Sequence, residues 1–464
     1  MINQQSSMTA IETVVGRIRQ NNSMPALFWH EHEFSYDEFL GMVDSWKDRL
    51  ATFKIGPGTV CGVLGDYSPQ ISALFFALMQ AKAIIVPFTR QIEHEMPMFM
   101  EIAGVQRLFR FDFQDTWSIE SFEKVPQNGL VKTFLGRQTA GLIVFTSGST
   151  GKPKGILHDC ERVMRKFVAE RSGWRTILFL MMDHFGGFNT FLSAFAYGGT
   201  GICVPDRTPE AVCRTIEQSR ATLLPTTPTF LNLLLASGSY RGFDLSSIQM
   251  ITYGTEVMSE TTLQKVKMVF PRAQLKQTYG LSELGVLRSK SESDGSVWVK
   301  IGGDGFEIKI VDNMLWVRSE ANMVGYLNAP NPFDVDGWMP TGDQVEVKGE
   351  YMRILGRKSD MINVGGQKVF PIEVETVLLQ DENIREAIVY GVKHSLMGQV
   401  VHARVSLYQP EEPEVLTERL RKLCLTQFAK YKVPMRFVIV DEQSQRGVRF
   451  KKLRQGFDGQ EIVS

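Results

Sequence analysis

Cysteine is scarce in this chain, with five among 464 residues. Cys61, Cys160, Cys203, Cys213 and Cys424 lie far apart, with no CxxC pair and no Cys/His cluster at zinc spacing. That pattern excludes a disulfide framework and a structural zinc site, and it suits a reduced, cytoplasmic protein. An excess of one charge is also missing. Lys and Arg total 51, as do Asp and Glu, whereas a general nucleic-acid binder carries a basic surplus. No apolar run reaches the roughly 20 uninterrupted residues of a membrane helix. The stretch 71–88 is broken by Gln80 and Lys82, and 176–204 by Asp183, His184 and two Gly-Gly pairs. The N-terminus has no basic segment leading into an apolar one, so no signal peptide is expected. No repeat recurs at a period of about 20–50 residues, which excludes a solenoid or propeller.

What is present is ordinary globular material, 43% apolar and 22% charged, long enough for about three domains or lobes. From residue 34 to about 252, short β-branched runs alternate with helical patterns. Examples are the strands 59–64 and 83–88 around a helix at 68–81. Such alternation predicts an α/β domain with parallel-type sheets covered on both faces. After about residue 295, close-set strands (296–301, 305–311, 314–319) predict a small β-rich subdomain. Beyond residue 357 the pattern becomes α+β: helix 371–380, strands 386–393 and 400–407, helix 413–428, strand 436–440. The expected division is an N-terminal domain, 1–355, and a C-terminal one, 357–464, hinged at Ser359–Asp360.

The strongest local signal follows the apolar strand Gly141–Phe145. It reads Thr146-Ser147-Gly148-Ser149-Thr150-Gly151-Lys152-Pro153-Lys154-Gly155. Glycines allow close backbone approach to a ligand, and N–H groups, hydroxyls and ammonium groups suit phosphate oxygens. The order GxxxxGK[ST] is absent, so this is not a Walker A loop. A flexible linker is the bland alternative, but linkers seldom follow a buried strand directly.

These residues resemble the phosphate-binding signature of the adenylate-forming enzymes, which include acyl- and aryl-CoA synthetases. Further segments match in order. Tyr253-Gly254-Thr255-Glu256 resembles the adenine-pocket segment, and Tyr279-Gly280-Leu281-Ser282-Glu283 the YGxTE motif. Gly325-Tyr326-Leu327-Asn328, Asp336-Gly337-Trp338 and Thr341-Gly342-Asp343 resemble the "GY … DGW … TGD" run. Gly356-Arg357-Lys358-Ser359-Asp360 is similar to the domain hinge, and Lys430-Tyr431-Lys432-Val433-Pro434 to the YKVP element.

The resemblance implies ATP-dependent activation of a carboxylic acid as an acyl-adenylate. Transfer to coenzyme A follows, or alternatively to the phosphopantetheine of an acyl or peptidyl carrier protein. It implies that Glu283 is a catalytic residue holding Mg²⁺, with Ser282 beside it, and that Asp343 and Arg357 hold the ribose. Tyr279 packs on adenine, with Gly254, Thr255 and Glu256 nearby, while Thr146 to Gly151 and Lys154 take the phosphates. It also implies a C-terminal domain that rotates between the two half-reactions.

Met182-Asp183-His184-Phe185-Gly186-Gly187 resembles the HxGG-like stretch lining the acid pocket of acyl- and aryl-acid members. His184, Phe185, Gly186, Tyr253 and Leu281 are therefore candidate substrate contacts, with His184 also catalytic and Phe188 expected beside Phe185 in an apolar pocket wall, although a lone histidine is often a core residue. Asp183 is not in the FDxS context of amino-acid-activating domains, which points to a non-amino acid. The C-terminus departs from the family pattern, since no lysine follows Gly447. Arg449, Lys451 and Lys452 are nearby cations, Lys451 being the candidate replacement. A solvated tail, and with it a degenerate binding protein, is the alternative.

Overall fold

The computed structural model describes residues 8–122, 128–146, 153–303 and 305–440. Local rules set the helices. Ser35 accepts from the Glu38 amide while the Glu38 carboxylate accepts from the Ser35 amide. This capping box starts the helix Tyr36–Thr52, which buries a stripe of Phe39, Leu40, Val43, Trp46 and Leu50. The helix Pro69–Gln80, capped by Ser68 and opened by proline, is buried along Ile71–Met79 on every side. Its sequence reads as an apolar run because it lies inside a layer, not because it meets lipid. No helix among the described residues is long and apolar enough to cross a membrane.

Two seven-stranded sheets sandwich that layer. The first runs in the order 325–326, 154–159, 141–146, 84–88, 60–64, 107–111, 117–121. The second runs 274–277, 250–253, 223–226, 175–177, 200–202, 25–29, 32–35. One core cluster joins side chains of both sheets to the helices Tyr36–Thr52, Pro69–Gln80 and Phe185–Ala196. Separate clusters cover the outer faces. The parallel expectation holds at the sheet centres. It fails at the strand Lys154–Asp159, which pairs antiparallel with Gly141–Thr146 from Thr146↔Lys154 to Gly141↔Asp159. The cause is chain length, because so short a connection cannot make the crossover that a parallel return requires.

The β-rich unit is a six-stranded antiparallel sheet, ordered 289–291, 299–301, 351–357, 339–348, 314–319, 306–311. Its own core includes Tyr279 and Leu284. Residues 362–439 form a five-stranded sheet with the helices Pro371–Leu378 and Pro413–Gln427 over a further separate core. The strand Tyr351–Arg357 ends where a single 3₁₀ turn, Lys358–Asp360, leads into that unit. Across the junction, Thr261 Oγ1 donates to the Thr376 carbonyl and Lys265 Nζ to the Leu379 carbonyl, both at 3.3 Å. These carbonyls belong to the last turn of a helix, where acceptors lack intrahelical partners and attract cations.

Candidate active site

Two short polar chains meet at the edge where the first sheet adjoins the β-rich unit. In one, the Tyr279 phenol donates to Asp343 Oδ2 at 2.6 Å, and Arg357 Nε stands 3.4 Å from Asp343 Oδ1. Asp343 and Arg357 face each other across paired strands, so the hairpin itself sets their spacing. The Asp343 amide is held by Thr341 Oγ1, whose own proton goes to the Leu315 carbonyl. Asp343 is 7% exposed. Burial raises its carboxyl above the ordinary value, and Arg357 and Tyr279 pull it back down.

In the other chain, the Tyr326 phenol donates to Glu283 Oε1 at 2.6 Å, and Lys154 Nζ lies over the Tyr326 ring, 5.0 Å from its centroid. Burial and the Glu283 charge push the Tyr326 phenol upward, with Arg357 opposing them, so the two chains sense each other. Tyr326 reaches this place because Gly325–Tyr326 pairs with Ile156 and Leu157 on the strand carrying Lys154. Asn328 braces the same strand, accepting from the Gly155 amide at 3.0 Å and donating to the Pro153 carbonyl at 2.9 Å. The arrangement gathers a lysine, an arginine and two carboxylates around the exit of the glycine-rich segment. Such a set can hold a polyanion and a divalent cation together.

The structure therefore brings together Thr146, Lys154, Tyr279, Ser282, Glu283, Asp343 and Arg357. Ser147, Gly148, Ser149, Thr150, Gly151, Lys152, Arg449, Lys451 and Lys452 lie outside the described residues. In the adenine-pocket candidate, Gly254 is required by close approach, since a Cβ there would meet Thr278 Oγ1 at 2.4 Å. Thr255 adopts φ +69°, a left-handed conformation unusual for a β-branched residue. Glu256 accepts from the amide and hydroxyl of Thr229 (3.2 and 2.6 Å) in the first turn of the helix Pro228–Ser237. Tyr253 packs in the outer core of the second sheet, with Ile251 and Phe230.

At the acid-pocket candidate, His184 precedes the helix Phe185–Ala196. Gly187 permits that helix to dock, because a Cβ would fall 2.0 Å from the Met181 carbonyl oxygen. Phe188, expected in the pocket wall, is instead fully buried between Phe75 and Phe191. Asp183 accepts from Thr89 Oγ1 at 3.2 Å and is 2% exposed. Leu281 lies in the short strand Tyr279–Leu281, antiparallel to Gly285–Leu287. Three participants escaped the sequence reading. Tyr326 and Asn328 were quoted only as part of a motif. His158, on the strand after Lys154, lies tilted against Phe185 with ring centroids 4.5 Å apart. Its signal was alternation, since Ile156 and His158 share the inward face of that strand.

Known proteins resemble this chain over most of its length. Residues 16–327 match the model of the AMP-binding enzyme family, and 373–447 that of the AMP-binding enzyme C-terminal domain. The chain is 28% identical to an indoleacetate–CoA ligase of Aromatoleum aromaticum, over 90% of this chain and 91% of that one. It is 27% identical to a 2-succinylbenzoate–CoA ligase of Bacillus pumilus, again over 90% and 91%. Among solved structures, an anthranilate CoA ligase in complex with anthranoyl-AMP superposes with a TM-score of 0.79 at 20% identity, over 93% of each chain. The o-succinylbenzoate CoA synthetase of Bacillus subtilis with its acyl-adenylate gives 0.73 at 21% identity, over 96% and 98%.

Proposed function

This chain belongs to the AMP-binding enzyme family, and from that premise we propose that it activates an aryl or acyl carboxylic acid with ATP and passes it to coenzyme A. It is an AMP-forming acid–thiol ligase. A carboxylate oxygen of the acid attacks the α-phosphorus of ATP, and pyrophosphate leaves. The coenzyme A sulfur then attacks the acyl carbon of the adenylate, and AMP leaves.

The observation that carries this reading is the junction of the two polar chains, Tyr279–Asp343–Arg357 and Lys154–Tyr326–Glu283. In it, Asp343 accepts from the ribose hydroxyls and Arg357 steadies the same end of the nucleotide. Tyr279 is locked against Asp343 and offers its ring to the base, beside Gly254 and Thr255. Lys154 and Thr146, at the two ends of the glycine-rich segment, face the phosphates with Ser147 to Gly151. Phosphoryl-type transfer depends mainly on such positioning and charge neutralisation.

Glu283 suits Mg²⁺. No group of three or more His, Cys, Asp or Glu among the described residues could cage a metal ion. Mg²⁺ seldom wants such a cage, binding instead through one or two carboxylates, substrate phosphates and water. When bound, the ion would neutralise charge on the phosphates, and Tyr326 would fix the Glu283 rotamer that presents the free side of the carboxylate. Lys451 supplies the cation that the family's missing lysine would have brought to the acid.

The acid lies near His184, Phe185, Gly186 and Leu281. It is read as a non-amino acid because Asp183 lies outside the FDxS context of amino-acid-activating domains and is only 2% exposed, accepting from Thr89 Oγ1. Five buried free thiols suit a cytoplasmic setting. Carboxylate-dependent ATP–pyrophosphate exchange over a panel of acids tests the first half-reaction, and thioester formation with coenzyme A the second. Exchange without transfer to coenzyme A would redirect the acceptor to a carrier protein. No exchange with any acid would leave only a nucleotide-binding protein.

A further inference from the structure

Thr255 is the single β-branched residue with a clearly positive φ, +69°, among the described residues. Branching at Cβ crowds the backbone in that region, so the conformation is disfavoured and persists only where its surroundings over-determine it. Asp312 and Asn313 share it because they turn a hairpin, between the paired residues Val311 and Met314. Thr255 turns none. It lies between the strand Met250–Tyr253 and the helix Glu260–Val269, and its side chain is exposed, so its own burial does not hold it there.

Its two neighbours do. Before it, the Gly254 backbone is pressed against Thr278, where a Cβ would fall 2.4 Å from the hydroxyl and 2.8 Å from the carbonyl oxygen. Thr278 is itself fixed, since its amide and hydroxyl both donate to the Tyr253 carbonyl, at 2.8 and 3.1 Å. After it, Glu256 reaches to the helix Pro228–Ser237, where Oε2 accepts from the Thr229 amide and hydroxyl. A carboxylate against the free amides of a first helical turn is well held, and Thr229 is fully buried, so the anchor is rigid. Close packing therefore sets one side of Thr255 and charge-assisted bonds the other. The residue after Thr278 is Tyr279, whose phenol is locked on Asp343.

We propose that Glu256 is a positioning residue of the nucleotide pocket, acting through Thr255 and not by touching the nucleotide. Anchored on Thr229, it keeps Thr255 left-handed, and with it the Gly254–Thr255 backbone that borders the base beside Tyr279. This rests on the nucleotide-binding reading above. Without the anchor, Thr255 relaxes toward the ordinary backbone regions and the competent pocket edge becomes a minor state. ATP then has to restore that edge on binding, and its apparent affinity falls by the fraction still competent.

The test is a double-mutant cycle on the full chain, read by calorimetric titration with ATP and Mg²⁺. Glu256→Ala should weaken ATP binding about tenfold or more, the scale of one strained residue released. Glu256→Gln should lose much less, because its carbonyl oxygen still accepts from Thr229. The decisive comparison is made in a Thr255→Gly background, since glycine adopts positive φ without penalty. There Glu256→Ala should cost less than about a third of the factor that it costs beside threonine. An equal loss in both backgrounds overturns the proposal, because a direct contact would be lost equally in each. So does an equal loss in Glu256→Gln and Glu256→Ala, which would mean that the charge itself is used. ATP affinity kept in Glu256→Ala, with or without a lower Tm, overturns it as well and marks a structural residue. A wild type that binds no ATP sinks the nucleotide-binding reading and this inference with it. Should Glu256→Ala fail to fold, Thr229→Val removes the hydroxyl half of the anchor and leaves Glu256 in place. Its effect on ATP binding should be present beside threonine and nearly absent beside glycine, and an effect that is equal or missing in both overturns the proposal.

Discussion

The phenol of Tyr326 holds Glu283 by a 2.6 Å hydrogen bond, and the two residues lie on different units, a strand of the first sheet and the turn after Tyr279–Leu281. A carboxylate aimed by a neighbour in this way needs no reorganisation when charge arrives. Glu283→Gln should lower adenylate formation ~10²–10³-fold, the usual loss for one electrostatic stabiliser, with little change in Tm. Tyr326→Phe removes one charge-assisted hydrogen bond, roughly 1.5–3 kcal/mol, and should cost about one decade or more. Pyrophosphate exchange reads both. Activity of Glu283→Gln within a few-fold of wild type would remove Glu283 from the metal site.

Asp343 should be a residue whose function costs stability. Burial raises its folded-state pKa above the unfolded one, so the folded chain holds this proton more tightly and loses stability as pH climbs through that raised value. Above that raised value the penalty is fully present. Asp343→Asn removes it, and the variant should melt no lower than wild type at pH 7 while binding ATP much more weakly in calorimetry. A fall in Tm of several degrees with ATP affinity intact would reverse the assignment.

His158 works in the opposite direction. Its folded pKa, about 3, lies below the ordinary 6.5, so only the unfolded chain takes up this proton between those values. Stability is complete above pH 6.5 and drains away as pH falls. By pH 5.5 the loss from this one group is ~1.4 kcal/mol. Urea unfolding at pH 7.5 and 5.5 should show His158→Phe spared that increment, and identical pH slopes would show an imidazole that takes up a proton in the folded chain.

The paired glycines after Phe185 should behave differently. A Cβ at Gly186 meets nothing closer than Leu180, at 3.8 Å, so Gly186→Ala should keep or slightly raise Tm, a helical alanine contributing about 0.5–1 kcal/mol. Gly187→Ala drives a carbon into the Met181 carbonyl and must displace the helix. Its Tm should drop, and activity with every acid should drop together with it. Equal tolerance at the two positions would mean that the close approach at Gly187 is not needed.

Much of this was legible in the residues. Capping and periodicity located helices such as Tyr36–Thr52 because those signals are local. Motif order alone pointed to Glu283, Asp343 and Arg357 as neighbours. What stayed hidden depends on pairing between distant segments. Tyr326 meets Glu283 only because Gly325–Tyr326 adds to the strand after the glycine-rich segment, and Asn328 braces Gly155 for the same reason. Phe188 was assigned to the pocket because every aromatic near His184 looks alike in sequence. In the folded chain the ring of Phe188 packs against Phe75 inside the core. The antiparallel return after Thr146 was concealed by the continuous apolar texture shared by parallel and hairpin strands.

The strand that presents Arg357 to Asp343 ends at Arg357, and the next three residues are the turn into the C-terminal unit. With Arg357 in its proposed role, gripping the nucleotide and setting the direction in which the chain leaves the large domain fall to one backbone position. By reciprocity, whatever orientation of the small unit favours the nucleotide is favoured by it to the same degree. This leaves little freedom to tune affinity and turnover separately. A substitution at 357 alters both at once, so adaptation to scarcer ATP or a slower product has to proceed through residues that touch only one of them, such as Thr341 beneath Asp343 or Lys265 against the far helix. For anyone redesigning this enzyme, Arg357 is the position to leave alone.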